Sequence, residues 1–355
     1  MKRFKLELIV ALLILFVFAS CGKKEAPVQT PPPPTAAAVP TPAPTPAPTP
    51  EPVYEASSQV TVEGTALDSG SVLIDGVKCV RKEELASALG RELEGDAYIP
   101  IEAFCEENRI GMLFDEEYDR LYCTVAAGDW ELKPGYNVPV LMYHEVLPEE
   151  MGGDGDTVRL ADFEEQLQWL TENGYSLIWF EDLAHVEDYE KPVIFTFDDG
   201  YVGNYEYLLP LLKKYDAKAT VCVFVDPIYH VADYLTKDQI VELSKSGYVS
   251  IQSHTINHPY LNQISKDMQE FEVMQSRLEI TRLTGKEPIV LAYPYGDTTD
   301  YVMELVREHY RFGLKMVGFR SYNTSDDPAV VWRFWPSRST GIEEYKSWFT
   351  MTFGE

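Results

Sequence analysis

From residue 137 onward, apolar runs of strand length alternate with longer stretches of helical periodicity. Strands are expected at 138–143, 175–179, 193–197, 219–225, 249–252, 289–292 and 313–317, with another near 331–335. Helices are expected between them at 160–172, 203–215, 236–246, 266–284 and 298–309. Regular βα alternation implies a parallel sheet with helices outside it. Seven or eight strands without a dinucleotide-binding glycine fingerprint narrow the α/β class to a distorted (β/α) barrel rather than an open sheet. In such a barrel the C-terminal strand ends share one rim, and active sites are built there.

Four polar groups fall just past strand ends. His144 follows 138–143, Asp198 and Asp199 follow 193–197, His254 follows 249–252, and Tyr293-Pro294-Tyr295-Gly296 follows 289–292. Strand neighbours point to opposite faces, so Asp198 and Asp199 can serve one site only if the chain turns there. Gly200 permits that turn. Two carboxylates at one strand end suit a division of labour, one holding a cation and one moving a proton. An Asp-rich turn capping the next helix would explain the pair equally well if it stood alone.

The histidines shift that balance. His254 and His258 are spaced i, i+4, which brings both to one side of a helix or a tight loop. Thr255 stands where a His-Glu-x-x-His protease would carry glutamate, so that motif is excluded. One carboxylate with two histidines makes a three-ligand divalent site with positions left for water and a substrate oxygen. His185, His230 and His309 lack such company and read as structural.

Charge sets limits on partners. The chain has 30 Lys and Arg against 57 Asp and Glu, a net −27, so no nucleic-acid partner is expected, because nothing would neutralise a phosphate backbone. Lys2, Arg3 and Lys5 precede an apolar stretch from Leu8 to Ala19, and small residues precede Cys21. This reads as a signal peptide over 1–20. Phe18-Ala19-Ser20-Cys21-Gly22 resembles a bacterial lipobox, with Cys21 as the lipidated residue. The mature chain is therefore expected outside the cytoplasm, held to the membrane by a lipid anchor. Residues 21–56 supply a linker in which twelve prolines fall between Pro27 and Pro52. The stretch 26–56, in polyproline conformation at about 3.1 Å per residue, reaches roughly 90 Å from the anchor.

Residues 57–128 read as a small α/β module with no catalytic constellation. It has a strand and turn at 72–77, a helix at 83–89 closed by Gly90, a strand and helix over 98–108, and a closing strand at 121–125. Its spacing resembles the copper amine oxidase N-terminal-like domain of bacterial surface proteins. The module has no histidine, so copper is not inferred, and a spacer or wall-contact role is expected. Cys79, Cys105, Cys123 and Cys222 match no zinc motif and are expected as buried small hydrophobes.

Residues 137–355 carry a sharper resemblance. Phe195-Thr196-Phe197-Asp198-Asp199-Gly200-Tyr201, Ser253-His254-Thr255-Ile256-Asn257-His258-Pro259-Tyr260-Leu261 and Tyr293-Pro294-Tyr295-Gly296 resemble three motifs of the polysaccharide deacetylase (NodB-homology) family, carbohydrate esterase family 4. The resemblance implies that Asp199, His254 and His258 bind a divalent metal, usually Zn2+. It implies that Asp198 is the general base and that the backbone N–H of Tyr295 helps hold an oxyanion.

Two departures stand out. No arginine sits near Ala292 to orient the base, and no late histidine acid follows His309. However, Val140-Leu141-Met142-Tyr143-His144-Glu145 resembles the opening motif of the poly-N-acetylglucosamine deacetylase branch, in which the early histidine is the acid; that role falls to His144. Arg333 is the candidate base-orienting residue, with Arg338 behind it. The implied function is N-deacetylation of an extracellular β-linked N-acetylglucosamine polymer to free amine and acetate. The alternatives are an O-acetyl esterase on acetylated polysaccharide and an inactive cell-wall-binding lipoprotein.

Overall fold

Seven parallel strands form a ring: β1 (Val140–Tyr143), β2 (Pro192–Phe197), β3 (Ala219–Val223), β4 (Val249–Ser253), β5 (Val290–Ala292), β6 (Phe312–Val317) and β7 (Val331–Arg333). This computed structural model describes residues 54–354 apart from Asp129 and Phe319. The signal peptide, Cys21 and all but the last residues of the 21–56 linker lie outside the described residues. The ring closes where the Met142 N–H donates to the Phe334 carbonyl at 2.7 Å and the Phe334 N–H to the Val140 carbonyl at 2.8 Å. Pairing is also thin between β4 and β5, where one register pair, Ser253 with Leu291, remains. There the side chain of Gln252 takes over, its Oε1 accepting from the Ile289 and Val290 N–H groups at 2.7 and 2.8 Å.

Helices α1 (Leu160–Glu172), α2 (Leu209–Tyr215), α3 (Lys237–Lys245), α4 (Lys266–Thr284), α5 (Asp300–His309) and α6 (Ile342–Phe353) accompany the ring. Every residue of β2 is buried, as expected of a parallel strand covered on both faces. Three sequence expectations are corrected. The strand expected at 175–179 shrinks to Ser176–Leu177, which pairs with the start of β2 outside the ring, so the ring has seven strands. The chain leaves the extended state there because the Trp179 N–H donates to Asp182 Oδ2 at 2.8 Å, opening the 3-10 stretch Glu181–Asp188. The helix expected at 203–215 begins as a π-helical turn, Asn204–Leu208; Pro210 has no N–H to continue an ordinary helical ladder back to that turn. Third, α6 was not anticipated. It buries Tyr345, Trp348 and Phe349, and Trp348 stacks on Phe334 with centroids 5.2 Å apart.

The preceding module holds two four-stranded sheets. One is Glu55–Ala56, Val72–Ile74, Val77–Arg81 and Tyr98–Pro100; the other is Thr65–Ala66, Gln59–Val62, Arg120–Thr124 and Gly111–Asp115. Its helix Lys82–Leu89 ends on Gly90, left-handed at φ 65°, and a second helix spans Ile101–Glu107. Val62, Leu85, Ile101, Cys105 and Cys123 lie in its core. All four described cysteines are buried free thiols. Module and barrel form one compact unit. Arg282, near the end of α4, grips the buried Asp115 carboxylate through Nε and Nη2 at 2.7 and 2.8 Å, and the Glu287 N–H donates to Thr124 Oγ1 at 3.0 Å. These contacts lie toward the N-terminal strand ends, which leaves the opposite rim open.

Candidate active site

The turn after β2 places both carboxylates. Asp198 keeps the strand's hydrogen bonding, its N–H donating to the Tyr143 carbonyl at 2.8 Å. Asp199 then enters the left-handed region at φ 73° and Gly200 at φ 78°. A Cβ on Gly200 would come within 2.8 Å of Val223 Cγ1, so glycine is required by space as well as by backbone angle. The two side chains diverge, one into the barrel and one toward its mouth.

Asp199 meets the loop after β4. His254 Nε2 and His258 Nε2 lie 3.1 Å apart, and Asp199 Oδ1 lies 3.4 and 3.5 Å from them. Among the described residues, these three form the group whose donor atoms could hold a metal ion. The triangle suits a divalent cation, because nitrogen and oxygen ligands about 2.0–2.1 Å from a tetrahedral zinc stand about 3.3–3.4 Å from one another. His254 Nδ1 donates to the Ala292 carbonyl at 2.7 Å, which orients the ring so that Nε2 faces the triangle; once that nitrogen gives up its proton, its lone pair is free for a cation.

Electrostatics favour the same use. Burial raises the Asp199 carboxyl, but the hydrogen bond and charge of His254, together with the charges of His144 and His258, outweigh this and hold it below the usual carboxylate range. Burial also opposes charge on His254, yet the bond to Asp199, the charges of Asp198 and Asp199 and the Ala292 carbonyl together raise it. His258, buried and beside His254, is pushed down to about 4, so it is a neutral donor at pH 7. The site draws positive charge toward Asp199.

Backbone strain concentrates here. Among the described residues nine non-glycine residues have positive φ, and four of them are Asp199, Thr255 at 73°, His258 at 55° and Tyr295 at 58°. A β-branched threonine in that region is a genuine outlier. Its hydroxyl contributes in return, accepting from the His258 N–H at 3.1 Å. Tyr295 stacks on Tyr260, centroids 3.8 Å apart, and meets His258 edge-on at 4.6 Å.

Asp198 is almost fully buried and faces Arg333. Arg333 Nη1 and Nη2 donate to its two oxygens at 2.8 and 2.7 Å. The fork is held in turn by the Lys315 carbonyl at 2.8 Å from Nε and by Thr196 Oγ1 at 2.9 Å from Nη1. Burial alone would raise the Asp198 carboxyl; the guanidinium overrides it and holds the group well below the usual range. Arg333 thus stands against Asp198 despite being distant in sequence from the motif that lacks an arginine. Arg338 goes elsewhere, to the Gly152 carbonyl at 2.9 Å.

A cavity of about 360 Å3 opens over these groups and is also lined by His144, Glu145, Tyr201 and Tyr293. His144 is half-buried, and its Nδ1 is buried without a hydrogen-bond partner among the described residues. His185, His230 and His309 do not line this cavity; His230 faces Asp226 and His309 faces Glu308 at the surface. Sequence reasoning missed Glu145, which burial pushes up to about 7, although its place directly after His144 was a signal.

The chain is similar to known proteins. Residues 185–314 match the polysaccharide deacetylase family, so the chain carries a domain of that family. The Bacillus subtilis protein YxkH, assigned by name to the polysaccharide deacetylases, is 34% identical over 164 residues, covering 45% of this chain and 57% of that protein. The poly-beta-1,6-N-acetyl-D-glucosamine N-deacetylase of Staphylococcus aureus is 25% identical over 178 residues, 45% of this chain and 61% of its own length. The chain thus spans less than two thirds of either relative. Among solved structures, the Streptococcus pyogenes deacetylase PplD, determined with acetate, superposes with a TM-score of 0.56 at 29% identity, over 61% of this chain and 99% of that one.

Proposed function

We propose that this chain is a metal-dependent N-deacetylase acting on an extracellular β-linked N-acetylglucosamine polymer. The observation that carries the reading is the donor triangle of Asp199, His254 and His258 beside an ionised, arginine-held Asp198. An acetamide carbonyl is a poor electrophile, so it needs polarisation, an activated water and a cradle for developing negative charge. A divalent cation held by Asp199, His254 and His258 supplies Lewis acidity to carbonyl and water. Asp198 takes the proton from the attacking water, and Arg333 keeps its carboxylate ionised and aimed. The backbone N–H of Tyr295 meets the developing oxyanion. His144, on the same cavity wall, gives a proton to the leaving amine.

The name of the Staphylococcus aureus relative supports a poly-β-1,6-N-acetylglucosamine substrate. The early His144 supports the same branch, and Arg333 answers the missing arginine that favoured an inactive wall-binding protein. Lipidation of Cys21 would place the enzyme on the outer membrane face, with the Pro-rich linker as tether. Acetate release from this glycan is expected to stop with chelator and return with Zn2+. Asp198→Asn should lower kcat by about 10²–10⁴. Unchanged acetate release by Asp198→Asn would refute the mechanism, and acetylated xylan as the sole substrate would point to the O-esterase.

A further inference from the structure

The loop joining the two histidines is anchored by a carboxylate that none of the sequence motifs includes. Glu272 lies on α4 with 2% of its surface exposed. Its Oε2 accepts from the backbone N–H groups of Ile256 and Asn257, each at 2.9 Å. Its Oε1 accepts from Asn257 Nδ2 at 2.7 Å. Three donors from two consecutive residues, both inside the His254–His258 interval, therefore converge on one side chain. Among the described residues no lysine or arginine forms an ion pair with it.

The loop needs such an anchor. It belongs to no helix or strand; the His254 N–H still donates to the Val223 carbonyl at 2.8 Å, but the Ile256 and Asn257 N–H groups have no ladder to join, and backbone N–H groups taken from water must find partners. Its backbone is strained at Thr255 and His258, and strain of this kind persists only where surrounding contacts over-determine it. Helix α4 presents a second anchor three residues earlier, on the same face. Gln269 Nε2 donates to the Leu261 carbonyl at 2.7 Å, just past the loop.

We propose that Glu272 is the positioning residue of the metal site: its carboxylate sets the loop so that both Nε2 atoms face Asp199 before a cation arrives. This rests on the reading of Asp199, His254 and His258 as cation ligands. Glu272 touches none of the three donor atoms, and its effect passes through Ile256 and Asn257. Outer partners of this kind typically govern 10–100-fold in metal affinity. Glu272→Gln keeps the size of the side chain. It removes the negative charge that strengthens all three bonds, and its NH2 end can no longer accept from Asn257 Nδ2.

The test is Zn2+ affinity of the full chain, stripped of metal and titrated against a competing chromogenic chelator. A parallel readout is the visible spectrum of the Co2+-loaded protein. Glu272→Gln is expected to weaken Zn2+ binding about 10–100-fold and to alter the Co2+ bands, while far-UV circular dichroism stays that of the wild type. Asn257→Ala removes one of the three bonds and leaves the carboxylate its two backbone donors, so a smaller loss is expected. It also serves as the test should Glu272→Gln fail to fold. Wild-type affinity and Co2+ spectrum in a folded Glu272→Gln, or in Asn257→Ala where that alone folds, overturns the role of Glu272. A wild-type chain that binds neither ion overturns the reading of the site itself, and this inference with it.

Discussion

At the residue scale the site depends on one buried ion pair. Asp198 and Arg333 are both removed from water, and desolvation makes such a pair costly unless its geometry and remaining hydrogen bonds are good. Here the fork is bidentate, with Nε and Nη1 also bonded to Lys315 and Thr196. Removing the cation strands a buried carboxylate. Arg333→Met is therefore expected to lower unfolding free energy by about 3–5 kcal/mol, measured by urea denaturation. Acetate release should fall as well. Arg333→Lys keeps the charge but not the planar fork, so it should recover part of the stability and little of the rate.

At the element scale, function is carried by what happens just past each strand end. Strand β4 delivers His254 and stops; the loop then turns through Thr255 and His258 at positive φ. Strand β2 delivers Asp198 and turns at Asp199 and Gly200 in the same way. Gly200→Ala would place a Cβ against Val223 and strain φ at once. It should cost about 1–3 kcal/mol in thermal unfolding and loosen metal binding. The last helix matters differently. Trp348 is almost fully buried against Phe334, next to the β1–β7 closure, so Trp348→Ala should destabilise by about 3–5 kcal/mol without changing the residues that line the cavity.

For the whole molecule, the module and the barrel meet through a charge pair with a pH signature. Arg282 hydrogen-bonds Asp115 and holds its carboxyl below the ordinary value of 3.8. A carboxyl depressed on folding stabilises the native state above its unfolded pKa, and that stabilisation is lost as pH falls through the folded value. Arg282→Met is thus expected to be less stable than the wild type at pH 7. The gap should narrow below about pH 4, where the unfolded carboxyl is protonated. Urea midpoints at pH 7 and pH 3 check this; a gap that does not shrink at low pH would show that the pair is not its origin.

Much of this was legible in the linear chain because the signals were local. Periodicity placed α1 and α4 at their observed bounds, 160–172 and 266–284, because a helix repeats its buried face every three to four residues. The motif residues announced themselves at strand ends, since polar groups after an apolar run have no core to fill. Other features needed the third dimension. Arg333 could be named a candidate partner of Asp198, with Arg338 behind it, but only ring closure set it there; no short-range pattern marks Glu272 as the anchor of the histidine loop, which helix packing brings about. The last helix escaped notice because its buried aromatics pack against Trp169 and Phe334, far off in the chain. Sequence alone determined most of the ring's strands and helices and most of the residues that could do chemistry, because those follow from local periodicity and residue type. Only the tertiary structure decided which charges neutralise one another and which atoms face a common point, because burial and distance are properties of the closed barrel.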